Sequence, residues 1–198
     1  MTTTSTPTPR STSRRDASAG RHDETFLARA VDGETSRHRA YRLVLGVTRL
    51  ALGWVFLWAF LDKLFGLGRS TPAEGAWLDG GSPTAGFLGN AVSGPFAGVY
   101  GSIAGAAWAD WLFMLGLAAI GTALVLGVTM RIAAAAGSLL LVMMWTAVLP
   151  PENNPFMDDH LVYALVLVVL ALVNAGDTLG LGRAWQRIGV VSRSALLK

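Results

Sequence analysis

Four long apolar segments that hold almost no charge are the feature that most constrains how this chain can fold. A helix that crosses the hydrocarbon core of a bilayer needs about 20 predominantly apolar residues. Three of the segments meet this length, and the fourth meets it if its helix begins at Pro155 with Asn154 as the N-cap. The four segments are Leu43–Leu61, in which Arg49 is the one charged residue, Trp111–Met130, Ile132–Leu149 and Leu161–Gly176.

These segments predict an all-α integral membrane protein built as a bundle of four transmembrane helices. The predicted spans are residues 43–65, 111–130, 132–149 and 155–176, within a membrane domain of residues 41–182. Charged residues make up only 15% of the chain, whereas soluble domains carry about 25%. The scarcity of charge agrees with a surface that faces lipid.

Residues 1–40 differ in composition from the rest of the chain. The segment is rich in Ser, Thr and Pro near its start, and eight arginines occur among the first 42 residues of the chain. A segment of this kind cannot bury enough apolar surface to order itself. We therefore expect a disordered, basic cytoplasmic tail at residues 1–40 and a second basic cytoplasmic tail at residues 183–198.

The distribution of positive charge predicts the orientation. Four spans place the N-terminal arginines, Arg131 and the C-terminal cations on one side of the membrane, and Lys63 and Arg69 on the other. Because cytoplasmic loops carry the excess of Lys and Arg, both termini are predicted to be cytoplasmic, with the protein in the plasma membrane. The Gly-rich segment Gly80–Ala109 then becomes an extracytoplasmic loop with a short interfacial or re-entrant helix. A fifth span over Phe87–Trp108 is the alternative, and it would move the C-terminal cations outside.

The residue types that are missing exclude several classes of chemistry. No cysteine is present, which excludes disulfides, thiolate catalysis, cysteine-bound zinc and iron–sulfur clusters. His160 is the one histidine in the apolar part, too few for a haem held by two histidines. No phosphate-binding loop, dinucleotide fingerprint, nucleophile elbow or His-Glu-x-x-His motif occurs. We expect no metal site, no intrinsic cofactor and no nucleic-acid partner, since a basic tail beside a membrane span favours the lipid bilayer.

Charged residues in a membrane span are functional candidates because a charge in lipid is costly. Arg49 and Lys63 are 14 positions apart, which places them on one face of the first span, near opposite membrane surfaces. One interpretation is that they bind a quinone carbonyl or an oxyanion. The alternative is structural: Arg49 would pair with Asp177, and Lys63 with an outer carboxylate, namely Asp110, Asp158 or Asp159.

His160 and Asp159 form a second group of candidates, at the outer end of the predicted fourth span. Histidine changes charge near neutral pH, so this pair is suited to relaying protons to or from a quinone. The alternative is a simple hydrogen bond between His160 and a neighbouring carboxylate. Three consecutive helical residues point in three directions, which argues against metal chelation by Asp158, Asp159 and His160. Arg131, in the turn between the second and third spans, is expected to contact lipid phosphate.

Several short motifs, in their order along the chain, resemble the DoxX/DoxD-like family of membrane proteins. The opening helix is similar in Arg49, Trp54-Val-Phe-Leu and Leu61-Asp-Lys-Leu, and the family's arginine turn is similar to Thr129-Met-Arg-Ile-Ala-Ala. The last span of the family's actinobacterial members is similar to a third stretch of this chain. That stretch is Glu152-Asn-Asn-Pro-Phe-Met-Asp-Asp-His, followed by an apolar helix and Asp177-Thr-Leu-Gly-Leu-Gly. The resemblance covers roughly residues 41–188.

The resemblance implies a membrane-embedded subunit of a quinone-linked oxidoreductase. The family includes the large subunit of thiosulfate:quinone oxidoreductase, which passes electrons from thiosulfate to quinone and yields tetrathionate. Arg49, Lys63 and Arg131 would then bind the quinone or anion, and His160 with Asp159 would move protons. Because this chain lacks cysteine, the reaction requires a partner subunit or direct transfer from the substrate to the quinone.

Two other functions fit the sequence. The first is a non-catalytic membrane scaffold that recruits redox or stress-response partners through its basic N-terminal tail and its Gly-rich loop. The second is a small-solute carrier. The sequence argues against a carrier, because it contains no pair of broken apolar segments of the kind that form transporter binding sites.

Overall fold

The computed structural model describes residues 13–89 and 92–197, with side chains from residue 35 onward. Within these ranges the chain is all-helical and contains no strand. Three of the described helical segments are long and apolar enough to cross a membrane: Thr35–Phe65, Ala107–Leu126 and Met130–Ala147. Their length and hydropathy indicate a membrane location.

Eight α-helices occur in the described residues. They are α1 (Ser13–Phe65), α2 (Pro83–Leu88), α3 (Ala97–Ile103), α4 (Ala107–Leu126), α5 (Met130–Ala147), α6 (Asp159–Leu172), α7 (Gly182–Trp185) and α8 (Gly189–Arg193). Short 3-10 helices lie at Ala73–Gly75, Trp77–Asp79, Gly94–Phe96 and Ala175–Asp177.

The chain divides into two compact units, Met1–Tyr41 and Arg42–Lys198. In the first unit the backbone is helical from Ser13. The sequence predicted disorder for residues 1–40, whereas residues 13–40 have a helical backbone and residues 1–12 lie outside the described part. Two properties of the sequence account for this helix: no proline follows Pro9 until Pro72, and alanine and arginine, both strong helix formers, recur through the segment.

The core of the second unit lies where the end of α1 meets α4, α5 and α6. Each of these helices contributes buried apolar side chains, so that no two of them form the core alone. The buried residues are Leu52 and Phe56 from α1, Leu117, Ile120 and Leu124 from α4, Met130, Ala133, Ala134 and Leu141 from α5, and Ala164, Leu167 and Leu170 from α6.

Two glycines let α1 and α4 approach closely in antiparallel directions. A β-carbon built at Gly53 would lie 3.0 Å from the backbone nitrogen of Val125, and one built at Gly121 would lie 2.8 Å from the backbone nitrogen of Leu57. No residue with a side chain fits at either position without a shift of the partner helix. Small residues at helix contacts are the usual means of close packing in membranes, where apolar side chains already have lipid as a solvent.

Helix α6 lies antiparallel to α5. Ser138 Oγ donates to the carbonyl oxygen of Ala164 over 3.2 Å, and Trp145 Nε1 donates to that of Phe156, just before α6, over 2.8 Å. A β-carbon at Gly137 would lie 2.7 Å from Leu167 Cδ1. The chain therefore travels back along the whole length of α5.

The predicted start of the fourth helix, at Pro155 after an Asn154 cap, is wrong. Asn154 Oδ1 instead accepts from the backbone N–H groups of Phe156 and Met157, which closes a turn rather than a helix. The N-cap is Asp158, whose side chain accepts from Leu161 N. Helix α6 has 14 residues, a length of about 21 Å.

Gly127 ends α4 and sets the boundary between the second and third predicted spans. Its φ of 72° is left-handed, and its N–H donates to the carbonyl oxygens of Ala123 and Leu124. Helix α4 consequently runs from Ala107 to Leu126 rather than over residues 111–130, and α5 begins at Met130 rather than at residue 132.

The segment predicted as a loop with one short helix contains two, α2 and α3. Both precede α4 and lie near its first turn, where α5 ends. We call this side of the bundle the Asp110 end, after a residue in the first turn of α4. The opposite side, where α4 ends and the chain beyond α6 returns, is called the Arg49 end.

Candidate functional site

Arg49 is completely buried and binds only backbone oxygens in the described structure. Its Nη1 donates to the carbonyl oxygens of Leu124 and Val125, the latter over 2.9 Å. Its Nη2 donates to those of Thr178 over 3.2 Å and Leu179 over 2.8 Å. One guanidinium thus joins the end of α4 to the chain that follows α6.

This arrangement completes the hydrogen bonding at the end of α4. The last carbonyl groups of a helix have no partner within it. Here the oxygens of Leu124 and Val125 accept from Arg49, that of Ala123 accepts from Gly127 N, and that of Leu126 accepts from Leu181 N over 2.8 Å. A cation at this position also opposes the partial negative charge of a helix C-terminus.

The contacts of Arg49 favour a structural role, although its predicted quinone or anion binding remains a prediction. The guanidinium Nη groups are occupied by backbone oxygens, and buried Nε has no hydrogen-bond partner among the described residues. The expected partner Asp177 accepts instead from Gln186 Nε2 over 2.9 Å.

Lys63 lies at the Asp110 end and is only half-buried. Its Nζ is 3.5 Å from Ser70 Oγ. The fully buried charge at this point of α1 is its neighbour Asp62, which accepts from Arg69 N over 3.1 Å, and from Ser70 N and Oγ over 3.0 Å and 2.7 Å. Asp62 thereby fixes the loop that follows α1.

Arg131 is exposed, and its Nη1 donates to the carbonyl oxygen of Ala195 over 2.8 Å. The three residues predicted to bind a quinone or an anion therefore contact three separate parts of the chain. Arg49 and Lys63 are 14 positions apart on one helix, a separation of about 21 Å, so no single small headgroup bridges them.

His160 lies at the start of α6 and bonds chiefly to Asp158. Its Nδ1 is 2.6 Å from Asp158 Oδ2 and 3.5 Å from Asp159 Oδ1. The three side chains converge, with ligand atoms within 4.8 Å of one another, because Asp158 is the non-helical cap and not the first of three helical residues. The expectation that the three side chains point in different directions is therefore wrong. Asp159 is 68% exposed, and Asp158 also caps α6.

Asp110 organises the loop in front of α4 and was not singled out as a site by the sequence. It is only 6% exposed. Its Oδ1 accepts from Ser82 Oγ over 3.0 Å, from Thr84 N over 2.8 Å and from Thr84 Oγ1 over 2.5 Å. Thr84 Oγ1 in turn accepts from Gly105 N over 3.1 Å. Asp110 thus holds the start of α2 against the start of α4.

A cavity of about 310 Å³ lies at the Asp110 end, between α4 and α5 and beside α2 and α3. This volume is at the lower limit for small-ligand sites, about 300 to 1,000 Å³. Several lining residues are exposed on the helix surface, so the cavity opens sideways between the two long helices. The residues that line the cavity include Thr84, Phe87, Tyr100, Trp108, Phe113, Gly116, Met143 and Met144.

Tyr100 fastens α3 to the last turn of α5. Its hydroxyl is 3.0 Å from the carbonyl oxygen of Met143 and 2.6 Å from Thr146 Oγ1. A second connection is made by Ser93, whose N–H donates to the carbonyl oxygen of Ala147 over 3.0 Å. The wall of the cavity that α3 supplies is therefore held by polar bonds, while its interior is apolar and aromatic.

The comparisons with known proteins add no assignment. No protein-family model, no curated protein and no solved structure matches the chain. Over the described residues, the fold defines the class of all-helical proteins, with three long apolar helices that are able to cross a membrane.

Proposed function

We propose that the chain crosses the plasma membrane four times, with both termini in the cytoplasm. Helix α6 is short, but it lies along α5 and connects the Asp110 end to the Arg49 end. Its length of about 21 Å falls below the roughly 30 Å of a hydrocarbon core, a mismatch that local thinning of the bilayer accommodates. The charge distribution supports a cytoplasmic position for the Arg49 end.

The absence of cysteine permits a direct test of this topology. Ser102→Cys and Ser192→Cys each introduce one exposed thiol, at the Asp110 end and in the C-terminal segment. With a membrane-impermeant maleimide, we expect labelling of Ser102→Cys in intact cells and of Ser192→Cys only after permeabilisation. Labelling of both in intact cells would mean three spans, and the reverse pattern would mean inverted orientation. The unmodified chain is the control.

We further propose that the protein is the membrane-embedded subunit of a quinone-linked oxidoreductase of DoxX/DoxD type. The observation that carries this proposal is the cavity between α4 and α5, which is apolar, aromatic and open toward the expected lipid. Such a site suits a lipid-soluble ring better than Arg49 and Lys63 do. Arg49 already donates to backbone carbonyls, and Lys63 lies beside Ser70. We therefore place the quinone in the cavity.

The resemblance supplies the reaction in this proposal. Two thiosulfate ions join through a new S–S bond and release two electrons, and the quinone takes up two electrons and two protons. The chain holds no cysteine to carry a sulfur intermediate, so a partner subunit delivers the electrons or thiosulfate acts directly. His160 and Asp159, at the same end of the bundle as the cavity, are the proposed proton carriers.

Photolabelling of the purified protein in lipid nanodiscs with an azido-naphthoquinone tests the position of the ligand. We expect labelled peptides from α4 and α5, and loss of labelling in Gly116→Leu, because Gly116 lines the cavity and a β-carbon there meets open space. Gly98→Leu is the matched control, since Gly98 is exposed on α3 and also has no neighbour within 4 Å.

Other results would overturn the placement of the quinone. Saturable labelling on α1 near Arg49 or Lys63 would return the site to the residues that the sequence indicated. Absence of saturable labelling would remove the quinone proposal. If deletion of residues 1–40 then abolished isolation of a partner complex, the scaffold alternative would take its place.

A further inference from the structure

Two residues that line the cavity, Thr84 and Tyr100, carry a hydroxyl group. A hydroxyl has one hydrogen to donate and two lone pairs that accept. What such a group offers to a ligand depends on which of these are already used within the protein.

Thr84 has committed its hydrogen. Asp110 Oδ1 accepts from the backbone N–H of Thr84 and from Ser82, so this oxygen acts as an acceptor and the Thr84 hydroxyl donates to it over 2.5 Å. Gly105 N donates to one Thr84 lone pair over 3.1 Å. The remaining capacity of the hydroxyl is a single lone pair, which accepts and does not donate.

The hydroxyl hydrogen of Tyr100 is likewise already used within the protein. Its hydroxyl forms a triangle with the Met143 carbonyl oxygen at 3.0 Å and Thr146 Oγ1 at 2.6 Å, and Thr146 also reaches that carbonyl at 2.8 Å. The carbonyl has no hydrogen, so the two hydroxyl hydrogens fill two of the three contacts. Either Tyr100 donates to the carbonyl and Thr146 to Tyr100, or Tyr100 donates to Thr146 and Thr146 to the carbonyl. The Tyr100 oxygen keeps a lone pair to accept from a ligand, and its hydrogen is used.

We infer that the cavity selects a ligand with an aromatic ring that carries a hydroxyl group, a phenol or hydroquinone, over the corresponding carbonyl or ether. The ligand's hydroxyl donates to the free lone pair of Thr84 or Tyr100, and its ring packs among Phe87, Trp108 and Phe113. Methionine sulfur, from Met143 and Met144, is a favourable neighbour for an aromatic ring. The inference rests on the proposed function and specifies which redox form of the ligand the site retains.

A quinone carbonyl has only acceptor lone pairs to offer at these positions. Two acceptors facing each other form no hydrogen bond, and a carbonyl brought there loses its bond to water without replacement. One hydrogen bond gained by the hydroquinone corresponds to about a three- to tenfold difference in affinity. Methylation of both hydroxyls removes the hydrogens but preserves the ring, so the dimethyl ether should behave like the quinone.

The test is displacement of the azido-naphthoquinone photolabel by three compounds under anaerobic conditions: menadione, its hydroquinone and the dimethyl ether of that hydroquinone. We expect the hydroquinone to compete about three- to tenfold better than either of the other two. Equal competition by the hydroquinone and menadione, or stronger competition by menadione, would overturn the inference and leave quinone binding standing. If none of the three competes, the proposed function itself fails.

Two variants connect the preference to these hydroxyls. Tyr100→Phe removes one acceptor with little change of shape, and Thr84→Ala removes the other. The preference for the hydroquinone over menadione should vanish in at least one of the two. Ser102→Ala, which removes an exposed hydroxyl outside the cavity lining, should keep it. Should Thr84→Ala fail to fold, the test rests on Tyr100→Phe and on the dimethyl ether. If Tyr100→Phe still prefers the hydroquinone over menadione, and the ether competes as strongly as the hydroquinone, the inference is contradicted.

Discussion

Arg49 in the first apolar helix donates from Nη2 to the backbone oxygen of Leu179 over 2.8 Å, across 130 residues of sequence. The same side chain donates from Nη1 to Val125 at the end of α4. A charge within a predicted span is therefore used to satisfy helix-end carbonyl groups rather than to meet an opposite charge. This relationship explains why an arginine is tolerated at this depth.

Replacement of Arg49 by lysine should destabilise the protein although the charge is kept. An ammonium group lacks the planar fork that reaches carbonyls on two segments, so at least one buried carbonyl loses its donor. Each such loss costs about 1 to 3 kcal/mol, and we expect a fall in Tm of about 5 to 10 °C in detergent micelles. Arg131→Lys is the control: the hydrogen bond of Arg131 to Ala195 is exposed, and the Tm of this variant should be nearly unchanged. An unchanged Tm in Arg49→Lys would contradict the structural role.

Replacement by alanine should have opposite effects on stability at two glycines of α4, Gly121 and Gly116. A β-carbon at Gly121 would meet Leu57 Cγ at 2.7 Å, whereas one at Gly116 meets no atom within 4 Å. Gly121→Ala should therefore lower stability by about 1 to 3 kcal/mol through overpacking. Gly116→Ala should be neutral or slightly stabilising, since alanine favours helix over glycine by about 1 kcal/mol. Thermal melts of the two variants check the contrast, and equal shifts would show that α1 and α4 are not in close contact.

Removal of the Asp110 carboxylate should release the start of α2. The amide of Thr84 donates to this carboxylate, so Asp110→Ala should raise its hydrogen–deuterium exchange rate about 5- to 150-fold, corresponding to a loss of about 1 to 3 kcal/mol. Asp110→Asn retains an oxygen at the accepting position and should have a smaller effect. Asp79→Ala, at an exposed position in the neighbouring 3-10 helix, is the control. Slow exchange at Thr84 in Asp110→Ala would contradict the assignment.

Asp158 and Asp159 are adjacent, but only the first should affect the stability of α6. Asp158 caps the helix by accepting from Leu161 N, and removal of a carboxylate cap costs about 0.5 to 2 kcal/mol. Asp159 is 68% exposed, and its replacement should lie within about 0.5 kcal/mol of the wild type. Tm values of Asp158→Ala and Asp159→Ala measure the difference. The opposite order would contradict the assignment of Asp158 as the cap of α6.

The apolar runs predicted the main helices because long uncharged segments have few alternatives in a membrane. The helix ends were harder to place. Asn154-Pro155 has the composition of a helix start, yet Asn154 closes a turn and the cap lies four residues later at Asp158. Both side chains are good caps, and only the packing of the chain between α5 and α6 decides which one is used.

The sequence indicated the partner of His160 but not those of Arg49 and Asp110. A hydrogen bond between His160 and a neighbouring carboxylate was one of its two interpretations, and the structure has that bond with Asp158. For Arg49 and Asp110 the structural alternatives were opposite charges, because charged side chains are visible in a sequence and backbone groups are not. Every residue carries a carbonyl, so nothing marks Thr178 or Leu179 as acceptors. The cavity was missed for a related reason: Thr84, Tyr100 and Gly116 are far apart along the chain and none is unusual in its own segment. A lone tyrosine in a Gly-rich stretch was the one available signal.

The bonds of Arg49 also impose an order on biosynthesis. The guanidinium is synthesised with the first apolar helix, long before the ribosome has made its last acceptors, which lie 129 and 130 residues further on. After α4 has followed, both acceptors of Nη1 are present, whereas those of Nη2 must wait for the final segment of the chain. A nascent or truncated polypeptide that ends before residue 178 therefore carries an Arg49 whose Nη2 lacks both of its backbone acceptors. The bonding of this cation distinguishes the unfinished chain from the finished one.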